Sequence, residues 1–154
     1  MMERTIKISL FVLILIWCLG IFSEWLVPLN QKIVFAIPWL TNLYSLVCHQ
    51  LPDRLIRSGN LASMVCARCV GIYVGLLTSS FILIFIGRQI NPKAKYLYLA
   101  SIPLLTDVLF HSINIYQYSK TIAFCTGFLL GSTGFLYLYS ALNQFFLELM
   151  SNKA

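Results

Sequence analysis

Few residues in this sequence are able to do chemistry. They are Cys48-His49-Gln50, Arg54, Cys66-Ala67-Arg68-Cys69, Tyr73, Asp107, His111, Asn114 and Cys125. A Cys-x-x-Cys pair joined by another cysteine and an imidazole makes a tetrahedral, thiolate-rich site suited to zinc. Cys48, Cys66, Cys69 and His111 are the preferred ligands, with His49 as the rival fourth. Asp107 would orient His111 by accepting its other ring N–H, with Arg68 beside it. Such a metal activates water or polarises a bound substrate. Asp107, Arg68 and Tyr73 are then the candidate catalytic groups, and Arg54 the candidate for holding a cofactor or an anionic head group.

The same cysteines support a second chemistry, thiol–disulfide exchange, with a quinone as electron acceptor. A Cys-x-x-Cys at a helix N-terminus has its thiolate stabilised by the helix dipole, and Arg68 adds to that. A third possibility is a polar knot that holds helices together in a non-enzymatic scaffold or small transporter. Tyr73 either caps the site with its hydroxyl or serves as a membrane-belt aromatic. Arg54 and Arg57 can also meet lipid phosphate at the head-group level. Cys18 reads as a small buried hydrophobe, and Cys125 as inert too.

The elements that position these groups lie in a membrane. Of the 154 residues, 59% are hydrophobic and 10% charged, and the mean hydropathy is +0.82. A soluble domain carries about 25% charged residues. This composition excludes a disordered chain, a secreted disulfide knot and an ordinary cytosolic enzyme. The net charge of +6 reads as membrane topology, with no nucleic-acid partner. The chain is a single domain, residues 1–154.

Crossing a bilayer takes about 20 apolar residues per helix. Four stretches qualify, at about 6–26, 64–86, 96–116 and 121–147. The first follows Arg4 and Lys7, but Phe22-Ser23-Glu24-Trp25 is a poor cleavage site, so it is a retained anchor. Residues 33–47 are too short and carry Pro38, Thr41 and Asn42, with Trp39 and Tyr44 suited to the head-group level; they predict an interfacial or re-entrant helix. The expected fold is all-α, a polytopic four-helix membrane bundle. Asn91-Pro92 marks the turn between spans two and three.

An even number of spans puts both termini on one side, with Arg4, Lys7, Arg88, Lys93, Lys95 and Lys153. Lys32, Arg54, Arg57, Arg68 and Lys120 lie on the other. The dense loop from Arg88 to Lys95 makes its side the cytoplasm by the positive-inside rule. The expected location is the cell membrane, with cytoplasmic termini and residues 28–63 outside. Cys48, Cys66, Cys69, His111 and Cys125 then all fall at one membrane level. Asp107 shares a helix face with Pro103, His111 and Asn114 and lies about 6 Å deeper than His111. An unpaired intramembrane carboxylate costs about 2.5–3.5 kcal/mol, so Asp107 needs Arg68, Arg54 or His111 as partner. Gly71, Gly75 and Ser79, and likewise Gly127, Gly131 and nearby Gly134, predict close helix packing.

These residues carry a resemblance. Cys48-His49-Gln50-x-Pro52-x-Arg54 followed by Cys66-x-Arg68-Cys69-x-Gly71-x-Tyr73-x-Gly75 resembles the signature of a small prokaryotic integral-membrane family classed as a domain of unknown function. The resemblance covers about residues 44–134. Pro103 and Asp107 match the family's third-span Pro…Asp-Gly…Gln pattern, while Val108 replaces its Gly and His111 its Gln. Thr126-Gly127 match the fourth span, but the Arg ahead of them is missing, with Ile122 to Cys125 in that region. The resemblance implies the membrane architecture and nominates the site, and it implies no activity. A looser, topological similarity is to DsbB-type quinone-linked disulfide generators, which place a Cys-x-x-Cys at the outer start of span two. Those proteins need another cysteine pair between spans three and four, where this chain has Cys125, with Cys48 as a substitute.

Overall fold

The computed structural model describes residues 2–28, 31–59, 61–86, 92–113 and 115–151. Arg88, Asn91, Asn114 and Lys153, used above for orientation, turn and polar face, lie outside the described residues. The elements in chain order are α1 (Met2–Ile21), α2 (Ser23–Leu26), α3 (Ile37–Ser45), β1 (Leu55–Ser58), β2 (Leu61–Cys66), α4 (Ala67–Phe85), α5 (Ala94–Ser112) and α6 (Lys120–Ser151), with 3-10 turns at Gln31–Ala36 and Pro52–Arg54. This is an all-α membrane architecture with four long helices and one small hairpin. The α1 helix packs on α4, α4 on α6, and α6 on α5.

Among the described residues, three helices are long and apolar enough to cross a bilayer: Arg4–Ile21, Ala67–Phe85 and Lys120–Phe145. The α5 helix has the 19-residue length of α4 but not its apolarity, because Lys95, Asp107 and His111 interrupt it. It ends at Ser112 rather than Tyr116. The first expected span is also shorter: α1 stops at Ile21, Phe22 leaves helical geometry (φ −101°, ψ 20°), and α2 adds a single turn. The segment at 33–47 contains α3, the expected short helix. Trp39 is exposed on it, and Phe35 just before it is 88% exposed.

A further correction concerns the start of span two. Residues 61–66 are a strand, and helix begins only at Ala67, with Cys66 extended as its N-cap (φ −64°, ψ 158°). Gly59, at φ +62°, turns the hairpin, a conformation that glycine adopts without steric penalty. The register shifts between Leu55 and Arg57. There the Ile56 N–H donates to Ser63 Oγ at 3.0 Å, and the Ser63 hydroxyl donates to the Val65 carbonyl at 2.7 Å. The Ala62 N–H donates to Glu24 Oε2 at 2.7 Å, so α2 satisfies a strand group that would otherwise be orphaned.

The long helices approach closely where side chains vanish. A Cβ on Gly71 would strike the Phe124 carbonyl oxygen and one on Gly75 that of Phe128. From α6, a Cβ on Gly127 would strike the Arg68 carbonyl oxygen and one on Gly131 that of Ile72. Lipid tails are as apolar as leucine, so this backbone-level van der Waals contact is what binds α4 to α6. Gly134 meets nothing within 4 Å and is outside this contact. At the far end of α1 the buried Lys7 donates to the Ile86 carbonyl (3.3 Å) and lies 5.5 Å from the centre of the Tyr139 ring. A cation there suits the negative end of the α4 dipole.

Candidate functional site

The C-terminal end of α1, the start of α4, the end of α5 and the start of α6 converge at the hairpin end of the bundle. Ile21, Tyr44, Cys48, Met64, Val65 and Val70 form a core cluster there, with Cys66, Cys69 and Tyr73 packed against it. The Tyr44 hydroxyl donates to the Trp17 carbonyl at 2.7 Å and fixes α3 on α1. Gln50 occupies a left-handed backbone conformation (φ 48°), unusual for a residue with a side chain. Its amide donates to the carbonyls of Thr41 (3.1 Å) and Met64 (3.0 Å), tying α3 to β2. The strained turn aims Cys48 inward and leaves His49 exposed.

Cys48, Cys66 and Cys69 thereby meet, with all three sulfurs within 4.8 Å of one another. The Cys66 N–H donates to Cys48 Sγ at 3.2 Å, and the Cys66 and Cys69 sulfurs are 3.4 Å apart in an S–H···S contact. All are free thiols. A tetrahedral ion with bonds of about 2.3 Å holds sulfurs about 3.8 Å apart, close to this spacing. The thiols line a cavity of about 340 Å³ with His49, Gln50, Arg54 and Arg68.

The Cys66 thiol is lowered to about 5, chiefly by hydrogen bonding with the Cys69 thiol, with backbone N–H groups and Cys48 adding to it against burial. Sequence reasoning assigned this role to the helix dipole and the Arg68 side chain; the neighbouring thiol is the larger cause. A depressed value means that thiolate is present through the neutral range and lost only as pH falls through about 5. In chelator-treated, reduced protein, iodoacetamide should therefore label Cys66 at a nearly constant rate from pH 6 to pH 8, read by peptide mass spectrometry. A rate that keeps climbing towards the ordinary thiol value of 9.0 would contradict the shift.

The second half of the expected site assembles beside the thiols. Arg68 forms an ion pair with Asp107, which is 5% exposed, and the Tyr116 hydroxyl donates to the other carboxylate oxygen. Asp107 therefore engages Arg68, one of the three partners considered, and does not orient His111. His111 lies instead against the 3-10 turn before the hairpin, where Arg54 Nη2 donates to its Nε2 at 3.0 Å. That lone pair is occupied, so His111 stands apart from the three-sulfur cluster rather than completing it. The Tyr118 ring packs edge-on against His111 at 5.4 Å and lies 5.4 Å from the Arg54 and 5.9 Å from the Arg68 guanidinium carbon. Burial pushes its phenol upward.

Tyr73 packs against Trp17 (ring centres 6.0 Å apart) rather than over the cavity. Cys18 is buried, donating to the Tyr73 carbonyl at 3.6 Å, and Cys125 is exposed on α6; neither joins the thiol cluster. Sequence reasoning missed Tyr116, Tyr118 and Glu24. Tyr116 is the last residue of the expected third span and Tyr118 lies two residues beyond it, and this aromatic pair soon after His111 was the available signal.

Comparison with known proteins places this geometry in context. Residues 48–137, more than half of the chain, match the model of a family described as "Predicted membrane protein (DUF2085)". An uncharacterized protein of Methanocaldococcus jannaschii is 36% identical over 99 residues, covering 62% of this chain and 64% of that relative. The matched part is thus less than two thirds of the relative's length. No solved structure matches the chain.

Proposed function

The chain belongs to this family of membrane proteins of unknown function, and on that premise we propose that Cys48, Cys66 and Cys69 hold a transition-metal ion, zinc by preference, with the fourth position open to the cavity. The observation that carries this reading is the meeting of three thiols from two separate segments, Cys48 and the Cys66/Cys69 pair, with all sulfurs within 4.8 Å of one another. A simple dithiol switch has no need of Cys48. An open position is the mark of a catalytic rather than a purely structural zinc site. His49, on the cavity wall, is the residue that could close it. The ion would act as a Lewis acid at the membrane surface, on a head group or lipid-linked substrate entering the cavity. Arg68 faces that space, and Asp107 positions Arg68 rather than acting as a base, since both its oxygens are engaged. The charge pattern favours an outward-facing site with cytoplasmic termini.

The competing reading is thiol–disulfide exchange, favoured by the 3.4 Å approach of Cys66 and Cys69. One measurement separates the two. Protein purified under reducing conditions should carry about one zinc per chain by elemental mass spectrometry. Cys48→Ser, Cys66→Ser and Cys69→Ser should each drop it to background, while Cys18→Ser and Cys125→Ser leave it unchanged. Metal-free wild type with a Cys66–Cys69 disulfide would overturn the metal reading in favour of exchange.

A further inference from the structure

We infer that Arg54 and Arg68 form a clamp for a phosphate group presented to the cysteine cavity. This names the ligand class of the cavity and rests on the reading that the cavity is the functional site. The two arginines reach it from unrelated segments, Arg54 from the 3-10 turn Pro52–Arg54 and Arg68 from the first turn of α4. Both guanidiniums lie over one aromatic ring, Tyr118, which restrains two flexible side chains at the wall of one cavity. Like charges gathered in this way call for an anion. Asp107 answers only Arg68; among the described residues Arg54 has no carboxylate partner, and beyond the Tyr118 ring its contact is a hydrogen bond to His111 Nε2.

Donors also remain. A guanidinium carries five N–H groups, and Arg68 Nε is buried without a partner among the described residues. Paired forks match phosphate, whose terminal oxygens can receive from both, better than a single carboxylate with two.

The phosphate could arrive as a lipid head group or as the free ion, and two arms distinguish them. Full-length protein in phosphatidylcholine nanodiscs is titrated with inorganic phosphate by calorimetry. In parallel, retention of phosphatidic acid is read by native mass spectrometry. Binding in the first arm supports the clamp with the free ion as ligand; retention in the second alone supports it with a lipid head group. In whichever arm binds, Arg54→Gln should weaken binding about tenfold or more, as expected for a lost charged hydrogen bond. Arg54→Lys should recover part of it, and Lys95→Gln, exposed at the start of α5 at the opposite end of the bundle, should change nothing. Absence of binding in both arms overturns the proposal, as does an Arg54→Gln protein with unchanged melting and undiminished binding. Zinc measured on the same samples keeps the outcomes apart: a metal-free protein that still binds phosphate through Arg54 removes the metal reading and leaves the clamp.

Discussion

Replacing Asp107 with Ala should destabilise the protein by about 3–5 kcal/mol, the range for removing one partner of a buried ion pair. The carboxylate is 5% exposed and receives both Arg68 and the Tyr116 hydroxyl. Without it, Arg68 keeps its charge in a half-dry position at the top of α4, and the segment after α5 loses its tether. The loss comes mainly from the stranded charge, so removing both charges should hurt less than removing one. Arg68→Met combined with Asp107→Leu is expected to be more stable than Asp107→Ala alone. Unfolding in mixed detergent–denaturant micelles, followed by circular dichroism, gives the comparison. A double variant as unstable as the sum of its singles would show that the two side chains are not energetically coupled and would overturn the ion-pair account. An Asp107→Ala effect below about 1 kcal/mol would place the pair in the class of solvent-screened ion pairs.

The second large effect is expected at the α4–α6 contact, and the sharpest form uses one substitution at two glycines of the same helix. At Gly131 an added methyl strikes the Ile72 carbonyl, which is backbone and cannot rotate away. Gly131→Ala should push the helices apart and cost about 3 kcal/mol, at the upper end for overpacking. At Gly134 the added methyl meets nothing within 4 Å. Gly134→Ala should be neutral or stabilising by up to about 1 kcal/mol, the helix-propensity difference. The same unfolding assay reads both. Equal effects at the two positions would mean that α4 and α6 do not meet at Gly131.

Much of this was legible in the sequence. Apolar length announced the long helices, and the glycine spacing announced which faces touch, because only glycine admits backbone to backbone. Cys48, Cys66 and Cys69 stood out because thiols and an arginine together have no place in an inert apolar stretch. Asp107 was expected to be paired, since lipid tolerates no lone carboxylate. What misled was the assumption that helix continues wherever hydropathy does. Leu61–Cys66 is apolar enough to extend a span, yet its backbone pairs with β1 and borrows Glu24. The same assumption ran α5 on to Tyr116, which in fact lies beyond the helix end and hydrogen-bonds Asp107.

Composition determined that this chain belongs in a bilayer, and the order and length of its apolar runs that its reactive groups gather at one end. Hydrophobicity and helical rise are local quantities, summed along the chain without knowing its neighbours. Which thiols share a cluster, that His111 turns to Arg54, and that Tyr118 underlies two guanidiniums were decided only in three dimensions. Those pairings depend on a left-handed turn at Gln50, a hairpin bend at Gly59 and a shifted strand register. Each redirects a side chain by a whole face, and no periodicity in the sequence records it.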